Sequence, residues 1–84
     1  MGARPRPKPE RLSAKLRQIR ARLRLSQSQI ARRLDDEMSP ARISEYEHGT
    51  REPSLLTLLA YARVARVAME TIVDDRVNLP QRFR

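Results

Sequence analysis

No cysteine occurs in the sequence, so neither a disulfide framework nor a thiolate metal site can support the fold. A single histidine, His48, leaves no second imidazole for a metal or acid–base constellation. No Ser–His–Asp set and no HExxH-type spacing can be assembled around it, so no enzyme activity, catalytic residue, metal or cofactor is expected. The apolar stretches are far too short to span a bilayer, and no signal-peptide pattern opens the chain. A cytoplasmic protein with no membrane contact is the expectation. No segment alternates apolar and polar residues long enough to be a strand. At 84 residues, the chain has room for one domain and short tails.

Positive charge is abundant. Eighteen Lys+Arg stand against ten Asp+Glu, a formal +8, and only Lys8 and Lys15 are lysine. Arginine is weakly hydrated and forks onto phosphate or guanine, so this balance points to a nucleic-acid partner. A merely soluble basic surface, or a patch for anionic lipid, would give the same bulk charge. The distribution is lopsided. Arg4, Arg6, Lys8, Arg11, Lys15, Arg17, Arg20, Arg22 and Arg24 face one acid, Glu10, while acids gather at Asp35-Asp36-Glu37 and Asp74-Asp75.

Residues 1–12, "MGARPRPKPERL", alternate proline with cations and read as an extended basic arm without a core-forming residue. Residues 13–75 read as the folded domain and 76–84 as a tail anchored, if at all, by Val77, Leu79 and Phe83. Ser13 is placed as the N-cap of a first helix to about Arg24, with Leu16, Ile19 and Leu23 inward. Ser26 caps a second, burying Ile30, Ala31 and Leu34, with Leu25 packing back on Ile30. Ser39 caps a third, with Pro40 at its first position and Gly49 at its end. Ser54 caps a fourth, whose stripe is Leu55, Leu58, Leu59 and Ala62, continued by Val64. A fifth turns Met69, Ile72 and Val73 inward. The fold class is all-α, five short helices.

The third helix poses a question. Only Ile43 and Tyr46 are large and apolar, so little of it is buried and its outer face is free to be read. Two short helices joined by a tight turn in a basic all-α domain are the parts of a helix-turn-helix, whose second helix enters the major groove. Arg42 has the fork for guanine O6 and N7, Glu45 can accept from cytosine N4, and Ala41 offers a methyl to thymine. Glu45 could equally pair with Arg42 or His48. Ser26-Gln27 and Ser39-Pro40, at helix N-termini, are natural phosphate seats. His48 is read as a helix-end residue complementing the dipole.

At this point the sequence resembles the lambda-repressor-like (Cro/C1, XRE-type) DNA-binding domains. The match runs through Ile19-Arg20, Leu25-Ser26-Gln27, Ile30-Ala31, Leu34, Ser39, Ile43-Ser44, Tyr46-Glu47, Gly49, Pro53-Ser54, Thr57-Leu58-Leu59, Ala62 and Val67. The resemblance implies a compact five-helix domain with a recognition helix from about 40 to 48. Base contacts fall to Gln27, Ala41, Arg42 and Glu45, and phosphate contacts to Ser26, Ser39, Pro40, Ser44, Thr50 and Arg51. Arg4, Arg6 and Lys8 of the arm join the phosphate set on charge. Arg20 and Glu47 are expected to form a structural salt bridge. Three departures stand out: a longer turn at "DDEM", and Arg24 and Arg66 where the family has glycines, so those helix ends are expected to close by another geometry.

The function implied is a transcriptional regulator, a repressor, of a bacterial or phage nucleoid. One recognition helix reads too few base pairs for a genome, so a homodimer on a palindromic double-stranded operator is expected. Leu56, Val77 and Phe83 are the apolar residues left over for such an interface. An antitoxin-type protein that also binds a protein partner through its free tail is a second reading. A non-specific basic nucleic-acid binder is a third.

Overall fold

The computed structural model describes residues 9–83, which form α1 (Leu12–Leu23), α2 (Gln27–Leu34), α3 (Pro40–His48), α4 (Leu55–Ala65) and α5 (Met69–Val73). Three starts follow from local chemistry. The hydroxyls of Ser26, Ser39 and Ser54 accept the N–H of Gln29, Arg42 and Thr57, satisfying donors that the helix itself cannot. At Ser26 the Gln29 side chain returns the bond to the Ser26 N–H, completing a capping box.

The start of α1 differs from the expectation. Ser13 does not cap it; the helix begins at Leu12, and no side chain from its own first turn serves as a cap. Instead the Asp75 carboxylate, contributed by the far end of the chain, accepts from the N–H groups of Glu10 and Arg11 at 2.8 and 3.0 Å. Leu12, placed in the arm by sequence, lies in the core at 5% exposure. Ser13 packs on Gly49 instead, where a Cβ would meet its Oγ at 3.1 Å.

Three helices end alike. Gly49, Arg24 and Arg66 sit in the left-handed region at φ 77°, 56° and 57°. In each case the next N–H reaches back to the carbonyl five residues earlier: Thr50 to Glu45, Leu25 to Arg20 and Val67 to Ala62. The expectation that Arg24 and Arg66 force another geometry is therefore wrong. The half-buried Leu25 and Val67 pack on the core, and that anchorage outweighs the roughly 1–2 kcal/mol that a Cβ costs in this conformation.

One core joins all five helices: Leu12, Leu16 and Ile19, Ile30 and Ala31, Ile43 and Tyr46, Leu58, Tyr61, Ala62 and Ala65, and Ile72. On α4 the inward stripe is Leu58, Tyr61, Ala62 and Ala65, while Leu55, expected inside, is 71% exposed. It lies on the same stripe one turn too early, beyond the edge of the neighbouring helices. Leu56 is exposed, as expected of a residue left over.

The tail is docked. Leu79 is buried and Phe83 packs half-buried against the core, so Phe83 is not left over; only Val77 is exposed. Lys15, itself 2% exposed, donates all three of its Nζ protons, to the carbonyls of Thr71, Asp74 and Val77, each at 2.8 Å. Arg11 adds bonds to the carbonyls of Asp75 and Val77 and to Asn78 Oδ1.

Candidate nucleic-acid interface

α3 is pinned on one face by Ile43 and Tyr46, both buried, and packs against α1 and α2. Beside them lies Glu47, 3% exposed. A bare carboxylate there would be strongly unfavourable. Its two oxygens accept from Arg20 Nε and Nη2 at 2.6 and 2.8 Å, a fork-on-fork pair. Arg20 Nη1 goes on to the Leu25 carbonyl at 3.2 Å, and Arg17 donates to the Glu47 carbonyl at 3.1 Å. Through one guanidinium, then, the α1–α2 corner and the last turn of α3 are fixed to each other. The Glu47 hydrogen bond is also the main cause that holds the Arg20 pKa above its ordinary value. Under the pair, desolvation and then the Glu47 charge push the buried Tyr61 phenol upward.

The opposite face of α3 is open. Ala41 and Arg42 are exposed, and Ser44 and Glu45 half-exposed. Glu45 lies between two cations, 3.8 Å from Arg42 Nε and 3.3 Å from Arg51 Nε. It therefore presents no bare negative charge, and it holds both arginines at the same rim. His48 does not join this group; its Nδ1 lies 2.8 Å from the Ser44 carbonyl and 3.3 Å from Ser44 Oγ. That leaves Ser44 tied within the helix.

The starts of α2 and α3 offer further donors. Ser26 and Ser39 use their oxygens as caps, which leaves each O–H proton available as a donor. Pro40 has no N–H, so the α3 start offers the Ala41 N–H. Gln27 is half-exposed at the first position of α2. Thr50 is less free: its N–H and its hydroxyl both donate to the Glu45 carbonyl, at 3.0 and 3.3 Å. Of the arm, Arg4, Arg6 and Lys8 lie outside the described residues. The described chain begins at Pro9, which borders a cleft with Glu10, Gly49, Arg51 and Pro53.

The longer turn keeps its acids local. Asp35 Oδ1 accepts from the Glu37 N–H and its carbonyl from the Met38 N–H, while Met38 is half-buried against the core. Sequence reasoning missed four residues that hold the helices and the tail in place. Gln29 was legible, since Ser-x-x-Gln before an apolar run is a capping-box signature. Arg17, Lys15 and Asp75 carried no local signal, because their partners are distant in sequence. Among the described residues no cluster of His, Cys, Asp or Glu could hold a metal.

A helix-turn-helix family profile matches residues 16–72. Among solved structures, the P22 c2 repressor, crystallised in complex with synthetic operator 9T in the presence of Tl+, has a TM-score of 0.68. Identity is 20%, over 76% of this chain and 94% of that chain. No curated protein matches. The shared architecture is the all-α, five-helix, lambda-repressor-like one.

Proposed function

From the premise that this chain belongs to the Cro/C1-type helix-turn-helix family, we propose that it is a sequence-specific, double-stranded DNA-binding regulator without enzymatic activity, acting as a repressor. The observation that carries this reading is the two-faced α3. One side is locked by Ile43, Tyr46 and the Arg20–Glu47 fork, and the other holds Arg42 and Arg51 around Glu45. A rigid helix with an ordered, exposed guanidinium is what base reading in the major groove requires.

In this reading α3 lies in the groove. Arg42 forks onto guanine, Ala41 meets a thymine methyl, and Gln27 reaches a base edge or phosphate from the start of α2. Ser26, Ser39, the Ala41 N–H beside Pro40, and Arg51 hold phosphates; Ser44 and Thr50 join only if their internal bonds turn. Arg4, Arg6 and Lys8 add phosphate contacts by their charge. Two copies on a palindrome supply the site length that one helix lacks. Leu56, at 74% exposure, is apolar surface available to a second copy. Among the described residues no helix is long and apolar enough to cross a membrane. A protein partner on the tail finds no support in its docking on α1.

Selection of bound duplexes from a random pool tests the proposal. One enriched palindrome is the expected result. Equal retention of all sequences, with affinity set by salt alone, would leave only a charge-driven binder.

A further inference from the structure

The docked tail builds a groove against the last turn of α1. Leu79 is buried, Arg22 donates to the Pro80 carbonyl, and the Arg22 guanidinium lies 5.1 Å from the centre of the Phe83 ring. These contacts fix where the chain beyond Pro80 runs. The resulting walls include Arg22, Arg24, Arg82 and Phe83, and no acid. Arg22 is occupied in holding the tail. The side chains of Arg24 and Arg82 are exposed and have no partner among the described residues. Arg32, Arg33, Arg63 and Arg66 are likewise exposed and without a partner among the described residues, but of these only Arg24 and Arg82 line the groove. Arg11, Arg17, Arg20, Arg51 and Arg76 reach an acceptor.

Position gives this groove a ligand. Arg24 is two residues before Ser26, so its Cα lies within about 7.6 Å of the cap that opens α2. Successive phosphates of one DNA strand are spaced about 3.4 Å along the axis. A backbone seated on the start of α2 is therefore within reach of the exposed Arg24 side chain.

We infer that the groove between α1 and the tail is a second phosphate-binding surface. Through Arg24 and Arg82 it takes the sugar–phosphate backbone of the duplex outside the base pairs read by α3. The inference rests on the proposed DNA-binding function. It makes the tail a working part of the interface, with Arg22 and Phe83 as positioning residues that touch no DNA.

The test uses the full chain and the double variant Arg24→Asn/Arg82→Gln. Asn tolerates the left-handed region and Arg82 is exposed, so melting should show both proteins folded. Affinity is measured against salt on two duplexes, one trimmed to the enriched site and one extended on both sides. On the extended duplex the slope of log K against log salt should fall by about 1.8 for each bound copy, about 3.6 for two copies on a palindrome, since each phosphate contact contributes about 0.9. Arg82→Gln alone should remove about half of that. On the trimmed duplex the proteins should coincide, and preference over a scrambled extended duplex should not change. Unchanged slopes on the extended duplex, or an equal fall on both duplexes, would overturn the inference while the wild type still selects its site. A wild type with no preference for any duplex would overturn the DNA reading itself, and the groove assignment with it.

Discussion

Glu45 and Glu47 stand two positions apart on α3 and do opposite work. Glu47 is inside, doubly bonded to Arg20, whereas Glu45 is at the rim between Arg42 and Arg51. Removing one partner of a buried pair strands the other. Glu47→Ala should therefore destabilise the domain by about 3 kcal/mol, a large share of a total on the order of 5 kcal/mol. It should lower Tm and abolish specific DNA binding, although Glu47 touches no base. Glu45→Ala should leave the melting curve nearly unchanged and alter binding. A stable Glu47→Ala protein that fails to bind would place this carboxylate on the DNA side instead. Arg66 invites a test of the other sign. It occupies a left-handed position at φ 57°, so Arg66→Gly should relieve Cβ strain. After allowance for the floppier unfolded chain, the gain is about 0.5–1 kcal/mol. Thermal melting should move up by a few degrees, and a fall would mean that the arginine side chain stabilises the turn.

At the scale of elements, the tail acts as a clamp on α1. Asp75 caps that helix from 64 residues away in sequence, and Lys15 and Arg11 return bonds to the tail carbonyls. Backbone hydrogen bonds from Arg11 and Glu10 hold the Asp75 carboxyl below its ordinary pKa. Asp74, bonded chiefly by the Arg76 side chain, falls from 3.8 to about 2. Both pKa values are lower in the folded state than in the unfolded chain, so in acid the unfolded chain holds more protons and is favoured as pH drops. The stabilisation is complete above the ordinary carboxylate range and lost as pH falls through the folded values. Melting temperature should stay flat down to about pH 4 and decline between about pH 4 and pH 2. Asp75→Asn should melt lower at neutral pH and show a shallower acid decline; an unchanged curve would refute the clamp. The Lys15 ammonium shifts the other way from a surface lysine, lowered first by burial and then by Arg11, with Asp75 and Asp74 opposing.

At the scale of the whole molecule, the question is which charges read sequence and which supply attraction. Arg42→Ala should lose roughly 1–3 kcal/mol at one base position and little on other duplexes. Arg4→Ala with Arg6→Ala should weaken binding to all duplexes alike and reduce the salt slope by up to about 1.8 for each bound copy. Competition against single-base variants of the selected site separates the two. If Arg42→Ala weakened every duplex equally, α3 would be held in the groove by charge and not by base contacts.

The sequence by itself determined the five helices, because apolar spacing, serine caps and Gly49 act within a few residues of one another. It determined the two-sided character of α3 for the same reason: Ile43 and Tyr46 can face only one way. The family motif carried the Arg20–Glu47 pairing, which spacing alone could not, since 27 residues separate the two. Only the tertiary structure decided the rest. Asp75 caps α1, Lys15 is buried under the tail, and Leu55 is exposed while Tyr61 is buried, because each depends on what a distant segment covers. The left-handed arginines belong here too. Local preference argued for another turn, and burial of Leu25 and Val67 overrode it, as packing of apolar groups outweighs a strain of one or two kcal/mol.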